Sequence, residues 1–445
     1  MKRNTLFIGI TVLGLASFNS CSLYKNYERP EDLKAEQLYG QSIAEEGEET
    51  MATLSWRELY SDPKLQSLIE TALQKNTGMK TQEWAIAQAE ASLKASKWAF
   101  APSVGLNPAG GYNTAEGWSY QIPLALSWEI DIFGSLRNQK QMASANLQLQ
   151  QDVQQAVQSR LIANVANCYY QLLALDETKQ LISEAIVVWN NMIASAEALM
   201  ESGEGDAIAV AQFKGQSYDF QAALESVNKN IADLELSICS LLCEAPHSIE
   251  RDSIMNRPSP SILKTGVSSQ LLLNRPDVRE AERNLEMFFY NERYAYSNYF
   301  PKFTIDAQAL FNGQFIASFF GNLAQPIFAQ GKIKAQHKTA EAQYEQAKLN
   351  LQQKLIDASG DVVAAMNQWN AAHNSIAIRT LQVEEYKKAV DFSHTQMLNG
   401  ECTYLDVLLA ETSLFEKRQS LIEDRLNEML GIVNLYLSLG GGSQE

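Results

Sequence analysis

Gln121-Ile122-Pro123-Leu124-Ala125-Leu126-Ser127-Trp128-Glu129-Ile130-Asp131-Ile132 alternates large apolar side chains with small or polar ones. Successive side chains of a strand point to opposite faces. Ile122, Leu124, Leu126, Trp128, Ile130 and Ile132 therefore form a greasy face, and Gln121, Ser127, Glu129 and Asp131 lie on the other. A second stretch repeats the pattern, with Phe303, Ile305, Ala307, Ala309, Phe311 and Phe315 against Thr304, Asp306, Gln308, Asn312 and Gln314. About 10 residues of such alternation suit a lipid-facing strand around a watery interior, although a half-buried strand of an ordinary sheet alternates too. Weaker strands are expected from Ser103 to Tyr112, with Gly and Pro interruptions, and from Phe319 to Phe328. No segment behind the amino terminus offers the roughly 18 to 20 consecutive apolar residues of a transmembrane helix. If the chain crosses a membrane, it does so as a β-barrel.

Each strand pair runs into a helical stretch that ends at a glycine, once from Pro102 to Gly203 and again from Pro301 to Gly400. The two prolines stand 199 residues apart and the two glycines 197. Short periods mark solenoids, whereas a period near 200 with long helices marks two copies of one large hairpin unit. A helix of about 65 residues is roughly 100 Å long. Val153, Val157, Leu161, Val165, Cys168, Leu172 and Leu175 recur at steps of 3 or 4, as do Ala340, Tyr344, Ala347, Leu351, Leu355, Ala358, Val362, Ala365 and Trp369. These are packing seams of a helix. The opposite face carries Gln139, Gln141, Gln148, Gln151, Gln155 and Gln158, which suits bulk solvent or a water-filled conduit. Met200-Glu201-Ser202-Gly203 and Met397-Leu398-Asn399-Gly400 read as helix ends closed by a glycine of positive φ. Shorter return helices are expected from about Ala207 to Leu242 and from about Tyr404 to Leu439, with the two tips lying together.

The duplicated unit supplies one β-hairpin per copy, hence about four strands per chain. Four strands cannot close a barrel, and about eight give an interior filled by side chains. Several chains must share one barrel, and three would give about 12 strands.

Lys2 and Arg3, the apolar run from Leu6 to Ala16 and Cys21 behind Asn19 and Ser20 read as a processing signal. A cysteine directly behind a signal core is where bacterial lipoprotein precursors are acylated and cut. Phe18 and Asn19 stand where such signals usually carry Leu and a small residue, so a plain secretory signal remains the other reading. One lipid chain alone would hold Cys21 to a membrane only reversibly. The net charge of −16, with no internal Lys/Arg run, argues against nucleic acid as a partner. His247, His337, His373 and His394 are scattered without metal-ligand spacing. No nucleophile elbow, phosphate loop or dinucleotide fingerprint occurs, and no enzymatic activity is expected. Cys168, Cys239 and Cys243 read as small buried hydrophobes, and Cys402 as an accessible thiol at a tip.

Read in order, Cys21, Tyr27, Arg29 and Pro30, then Trp56, Leu59, Asp62, Leu65 and Leu68, resemble the TolC-like outer-membrane factors, in particular their lipoprotein branch. Pro102, the run Ser127 to Gly134, Leu272 to Val278 with Ala281-Glu282, and Phe300-Pro301 continue the resemblance. Pro326-Ile327-Phe328 with Gly331, Gly400 with Leu405 to Leu408, and Leu439 to Gly442 complete it. It spans the chain, although each motif alone is weak. Arg275-Pro276-Asp277, for example, is also a good helix start. The resemblance implies a mainly α fold with a small β part. Duplicated long helical hairpins would form a trimeric α-barrel in the periplasm, joined to a 12-stranded outer-membrane β-barrel shared by the trimer. It also implies a lipid on Cys21, a periplasmic adaptor and an inner-membrane pump, of RND type, as partners, and passive conduction without cofactor or metal.

The resemblance further places a gate aspartate six residues after the second tip glycine, at Asp406, where a ring of carboxylates would constrict the pore and favour cations. A helix-start aspartate stabilising the dipole is the other reading. Leu409 replaces a second aspartate found in some members. Gly203 and Gly400 are the expected adaptor contacts, and Glu129 and Asp131 line either the lumen or plain solvent. The implied layout is a signal over 1–20, a lipid-anchored tether over 21–55, repeats over 56–250 and 251–442, and a tail over 443–445. A periplasmic adaptor or a coiled-coil scaffold lipoprotein is the rival class. The first would need larger β domains, and the second leaves the strand alternation unexplained.

Overall fold

Caps fix where the first two helices begin. The computed structural model of the chain describes residues 25–30, 55–115, 117–203, 206–254, 275–311, 315–325 and 330–441. Cys21 and the signal lie outside them. Ser55 Oγ accepts the Glu58 N–H while the Glu58 carboxylate accepts the Ser55 N–H at 2.9 Å, opening helix α1 (Trp56–Leu59). Asp62 accepts the Lys64 N–H at 2.9 Å and Pro63 takes the first position of α2 (Pro63–Lys75). Helix α3 (Thr77–Trp98) leads into strands β1 (Ser103–Leu106), β2 (Ala109–Asn113) and β3 (Gly117–Ile130). The first helical hairpin is α4 (Ser135–Glu201) with α5 (Ala207–Leu242). The second copy runs α6 (Pro276–Ser297), β4 (Lys302–Phe311), β5 (Phe315–Ala324), α7 (Lys332–Leu398) and α8 (Tyr404–Ser438).

The duplication is stricter in backbone than in side chains. Helices α4 and α7 both have 67 residues, and they begin 197 positions apart. Left-handed residues fall at the same three places of each hairpin, Gly134 and Gly331, Gly203 and Gly400, Cys243 and Gly440, again 197 positions apart.

The strands differ from expectation in detail. β3 begins at Gly117 and ends at Ile130, so Ile132 lies outside it. Phe315 opens β5, because the chain reverses between Phe311 and Phe315. The fourth strand therefore occupies Phe315–Ala324, and the expected end at Phe328 lies outside the described residues. The first arm breaks at Asn107-Pro108 into β1 and β2, both paired with β3, as expected where proline offers no N–H to a ladder.

Two compact units cut across the repeats. One holds the sheet with Thr81–Gln154, Pro276–Ile356 and residues 25–30. The other is drawn from Gln41–Lys80, Gln155–Arg275 and Asp357–Glu445. In the second unit Trp56, Tyr60, Leu65 and Ile69 are buried; Tyr60 packs on Tyr436 at 6.0 Å between ring centroids, and the Tyr169 hydroxyl donates to Asp62 at 2.6 Å. Of the α4 seam, Leu161, Val165 and Leu172 are buried, while Val153, Val157, Cys168 and Leu175 are half-buried. The α7 seam is buried except at Tyr344 and Trp369, which are half-buried.

Candidate channel sheet and hairpin tips

The two alternating stretches meet in register. β3 and β4 pair antiparallel, with Leu124 opposite Ala309, Leu126 opposite Ala307, Trp128 opposite Ile305 and Ile130 opposite Phe303. The apolar face of one strand thus continues the apolar face of the other, because a period of two holds on both. On the polar face Ser127 faces Asp306 and Glu129 faces Thr304. Ser127 Oγ donates to Asp306 Oδ1 at 2.6 Å, and Thr304 Oγ1 donates to Asp306 Oδ2 at 3.1 Å. The sheet order is β1-β3-β4-β5 with β2 also on β3, so among the described residues β1, β2 and β5 pair on one side only. Trp118 is 83% exposed and Phe319 81%, with Ile122, Leu124, Trp128 and Ile130 also exposed. Such an apolar patch on a single chain requires cover by lipid or by another chain.

Glu129 keeps its place on the polar face, half-buried, with its carboxylate 3.9 Å from Lys302 Nζ. Asp131 does not line that face. Its carboxylate accepts the N–H groups of Leu136 at 3.2 Å and Arg137 at 3.0 Å and pairs with Arg137 Nε at 3.1 Å, leaving the side chain 6% exposed. The strand has ended at Ile130, and Asp131 has become the anion at the start of α4.

Both tips are built alike. Gly203 has φ +84° and Gly400 φ +72°, and a Cβ at either would meet nothing within 4 Å. In the first copy Asp206 caps α5 by accepting the Ile208 N–H at 2.9 Å. In the second, Thr403 stands at the cap and the Asp406 carboxylate accepts both its N–H, at 2.8 Å, and its hydroxyl, at 2.6 Å. The Thr403 hydroxyl and N–H hold the Asp406 carboxyl below the usual aspartate range. Asp406 is exposed between exposed Leu405 and Leu409, whereas its counterpart Ala209 is buried. The tips lie together through a run of rings: Tyr404 stands at 88° to Phe213, Phe415 meets Phe220 at 4.6 Å, and Trp189 lies against both Phe213 and Phe220.

Each histidine faces a glutamate, His247 with Glu244, His337 with Glu292, His373 with Glu428 and His394 with Glu411, at 2.7–3.0 Å. Among the described residues no His/Cys/Asp/Glu group could hold a metal ion, and no helix is long and apolar enough to cross a membrane. Cys239 is buried and Cys168 half-buried, but Cys243 is exposed, against expectation, because it closes α5 in the left-handed conformation. Cys402 is half-buried rather than open, its thiol donating to the Ser393 carbonyl at 3.3 Å.

Residues 68–243 and 267–441 match the outer membrane efflux protein family. The chain belongs to that family. This outer membrane efflux protein is 24% identical over 451 residues to the cation efflux system protein CusC of Escherichia coli K12, covering 96% of this chain and 97% of CusC. It is 25% identical over 467 residues to the solvent efflux pump outer membrane protein SrpC of Pseudomonas putida, covering 98% of each. Against the probable outer membrane lipoprotein SilC of Salmonella typhimurium it is 24% identical over 405 residues, with 87% and 88% covered. Its fold matches a CusC crystal structure with a TM-score of 0.83 at 22% identity, over 94% of this chain and 99% of that one. The Campylobacter jejuni CmeC outer membrane channel matches with a TM-score of 0.82 at 19% identity, over 95% and 94%. The efflux protein thus has the mainly α fold of these channels, with duplicated hairpins and a small sheet.

Two arrangements in the efflux protein had no local signal in the sequence. Arg275, expected only to precede a helix start, is buried and donates to the carbonyls of Ala358 and Ser438 and to Asp361 at 2.9–3.2 Å. Arg29 pairs with Glu282 across 253 positions.

Proposed function

We propose that this protein is the outer-membrane channel of a tripartite efflux or export system and that it conducts passively, without catalysis. The sheet carries the reading: one apolar face is exposed, and among the described residues its terminal strands pair on one side only, leaving their outer edges open. Open edges invite pairing with further strands, and a barrel spanning lipid must have none. Three copies, each giving four strand arms, would close a barrel of about 12 strands with an aqueous lumen. The paired 67-residue helices of each copy would continue that lumen as a periplasmic tunnel.

In this reading Cys21 carries the lipid and Asp406 of three copies forms the gate ring. Gly203 and Gly400 meet the periplasmic adaptor that links the channel to an inner-membrane pump of RND type. Glu129, on the polar strand face, lines the lumen. Relatives named for cation, solvent and antibiotic efflux stand at nearly equal identity, 24%, 25% and 26%, which supports a wide channel whose cargo the pump selects. Purified protein inserted into liposomes should release trapped small solutes. Liposomes that stay sealed after insertion would overturn the reading.

A further inference from the structure

The two hairpin units correspond in backbone, but one helix face that is covered in the first is bare in the second. Helices α3 and α6 begin 199 positions apart, and α4 and α7, like α5 and α8, begin 197 apart. In the unit that holds the sheet, Asp152 of α4 pairs with Arg279 at 3.3 Å and Arg283 at 3.5 Å, both of α6. In the other unit, Glu184 of α4 pairs with Arg418 of α8 at 2.7 Å. Between these positions Ala166 and Leu181 of α4 are buried.

The counterparts of Asp152, Ala166, Leu181 and Glu184 on α7 are Leu349, Val363, Ile378 and Leu381, which are 57–69% exposed. At 3.6 residues per turn these four share one face, opposite the seam that runs from Ala347 to Val390. Their expected partners are bare too. Trp84 of α3, the counterpart of Arg283, is 77% exposed, and Gln221 of α5, the counterpart of Arg418, is exposed. Leu236 of α5 is exposed where Val433 of α8 is fully buried. Apolar faces of this extent call for cover.

The two seams are written in different chemistry. Within the chain α4 presents carboxylates to arginines, whereas α7 presents leucines where α3 and α5 carry a tryptophan and a glutamine. An exchange of partners would set Arg283 against Leu349 and Glu184 against Gln221, taking charges out of water without a counter-ion. Lys80, in the place of Arg279, is exposed and long enough to keep its ammonium in water.

We propose that the bare face of α7 docks α3 and α5 of a second copy of this chain, with Leu349 against Trp84 and Leu381 against Gln221. The inference rests on the reading that several chains share one barrel. One chain's second hairpin thus joins the next chain's first, a head-to-tail contact of the kind that closes into rings. The apolar seam between chains and the ion-paired seam within each chain fix the order in which hairpins alternate.

Two measurements on the full-length protein test this. In the first, p-benzoylphenylalanine replaces Trp84 and the protein is irradiated in outer membranes. Covalent dimers on denaturing gels are expected, with the adduct within one helical turn of Leu349. Adducts confined to single chains, or dimers joined at another element, would overturn the proposal even where native mass spectrometry counts several chains per particle. A single-chain particle would overturn the shared-barrel reading and the proposal with it. In the second, Leu381→Glu should leave helical circular dichroism unchanged, because Leu381 is exposed on its own chain, yet the assembled particle should come apart in strong detergent at least tenfold faster. Adding Gln221→Arg, which copies the Glu184–Arg418 pair onto the seam between chains, should restore the wild-type rate. An unchanged rate in Leu381→Glu, or no recovery in the double variant, would refute the docking.

Discussion

The carboxylate of Asp406 takes both donors of Thr403, the N–H at 2.8 Å and the hydroxyl at 2.6 Å, and both bonds fall on the same oxygen, Oδ2. One atom of the side chain starts helix α8, and the exposed remainder keeps a negative charge at the tip. The helix-cap and gate readings of Asp406 are therefore compatible. Asp406→Ala should raise single-channel conductance and weaken block by divalent cations, measured in planar bilayers. Asp406→Asn should match Ala, because the charge and not the cap sets the block. Wild-type values of both quantities would remove Asp406 from the gate.

The same two bonds set a pH window. The Asp406 carboxyl is held below its usual value by Thr403, so whatever the charge contributes is fully present above the ordinary carboxylate pKa and disappears as pH falls through the lowered one. Divalent block should stay constant from about pH 7 to 5 and vanish only below about pH 4. Thr403→Val, which removes the hydroxyl donor, should move that loss upward. Block that titrates near neutrality would assign the gate to another group.

Gly203 and Gly400 allow a clean test of the tips. Open space surrounds a Cβ at each, so a bulky residue meets no clash within the chain, and its cost is that of a positive φ, about 1–2 kcal/mol for an ordinary L-residue. Gly400→Trp should assemble normally yet abolish export, while Gly400→Asn, tolerant of the left-handed region, should keep it. Normal resistance in a Gly400→Trp strain would exclude the tip from adaptor contact.

Two helix glycines should respond in opposite directions. A Cβ at Gly431 would stand 3.0 Å from the Cα and Cβ of Trp369, where α8 crosses α7. Gly431→Ala should therefore overpack the crossing and destabilise the purified protein by about 1–3 kcal/mol. Gly360 is exposed in the middle of α7 with nothing within 4 Å, so Gly360→Ala should stabilise it by up to about 1 kcal/mol. Thermal melts followed by helical circular dichroism would separate the two, and equal shifts would contradict the packing described.

The sequence revealed what repeats or alternates. The offset of 197 located both tips, and the period of two located β3 and β4 with the faces that they pair. It misled where a pattern outlasted the element that made it. Ile130 and Ile132 alternate across Asp131, yet the strand stops at Ile130 and Asp131 turns to the backbone of Leu136 and Arg137. Phe315 kept the parity of β4 but lies beyond a reversal of the chain. Long-range pairings left no trace, because nothing near Arg29 or Arg275 in the chain hints at Glu282 or Asp361.

The central claim is that one chain supplies too few strands to enclose water and so shares its barrel. Native mass spectrometry of the mature protein, released from outer membranes in mild detergent, counts the chains directly. Three chains per particle are predicted. A stable single-chain particle, soluble once detergent is removed, would contradict the account.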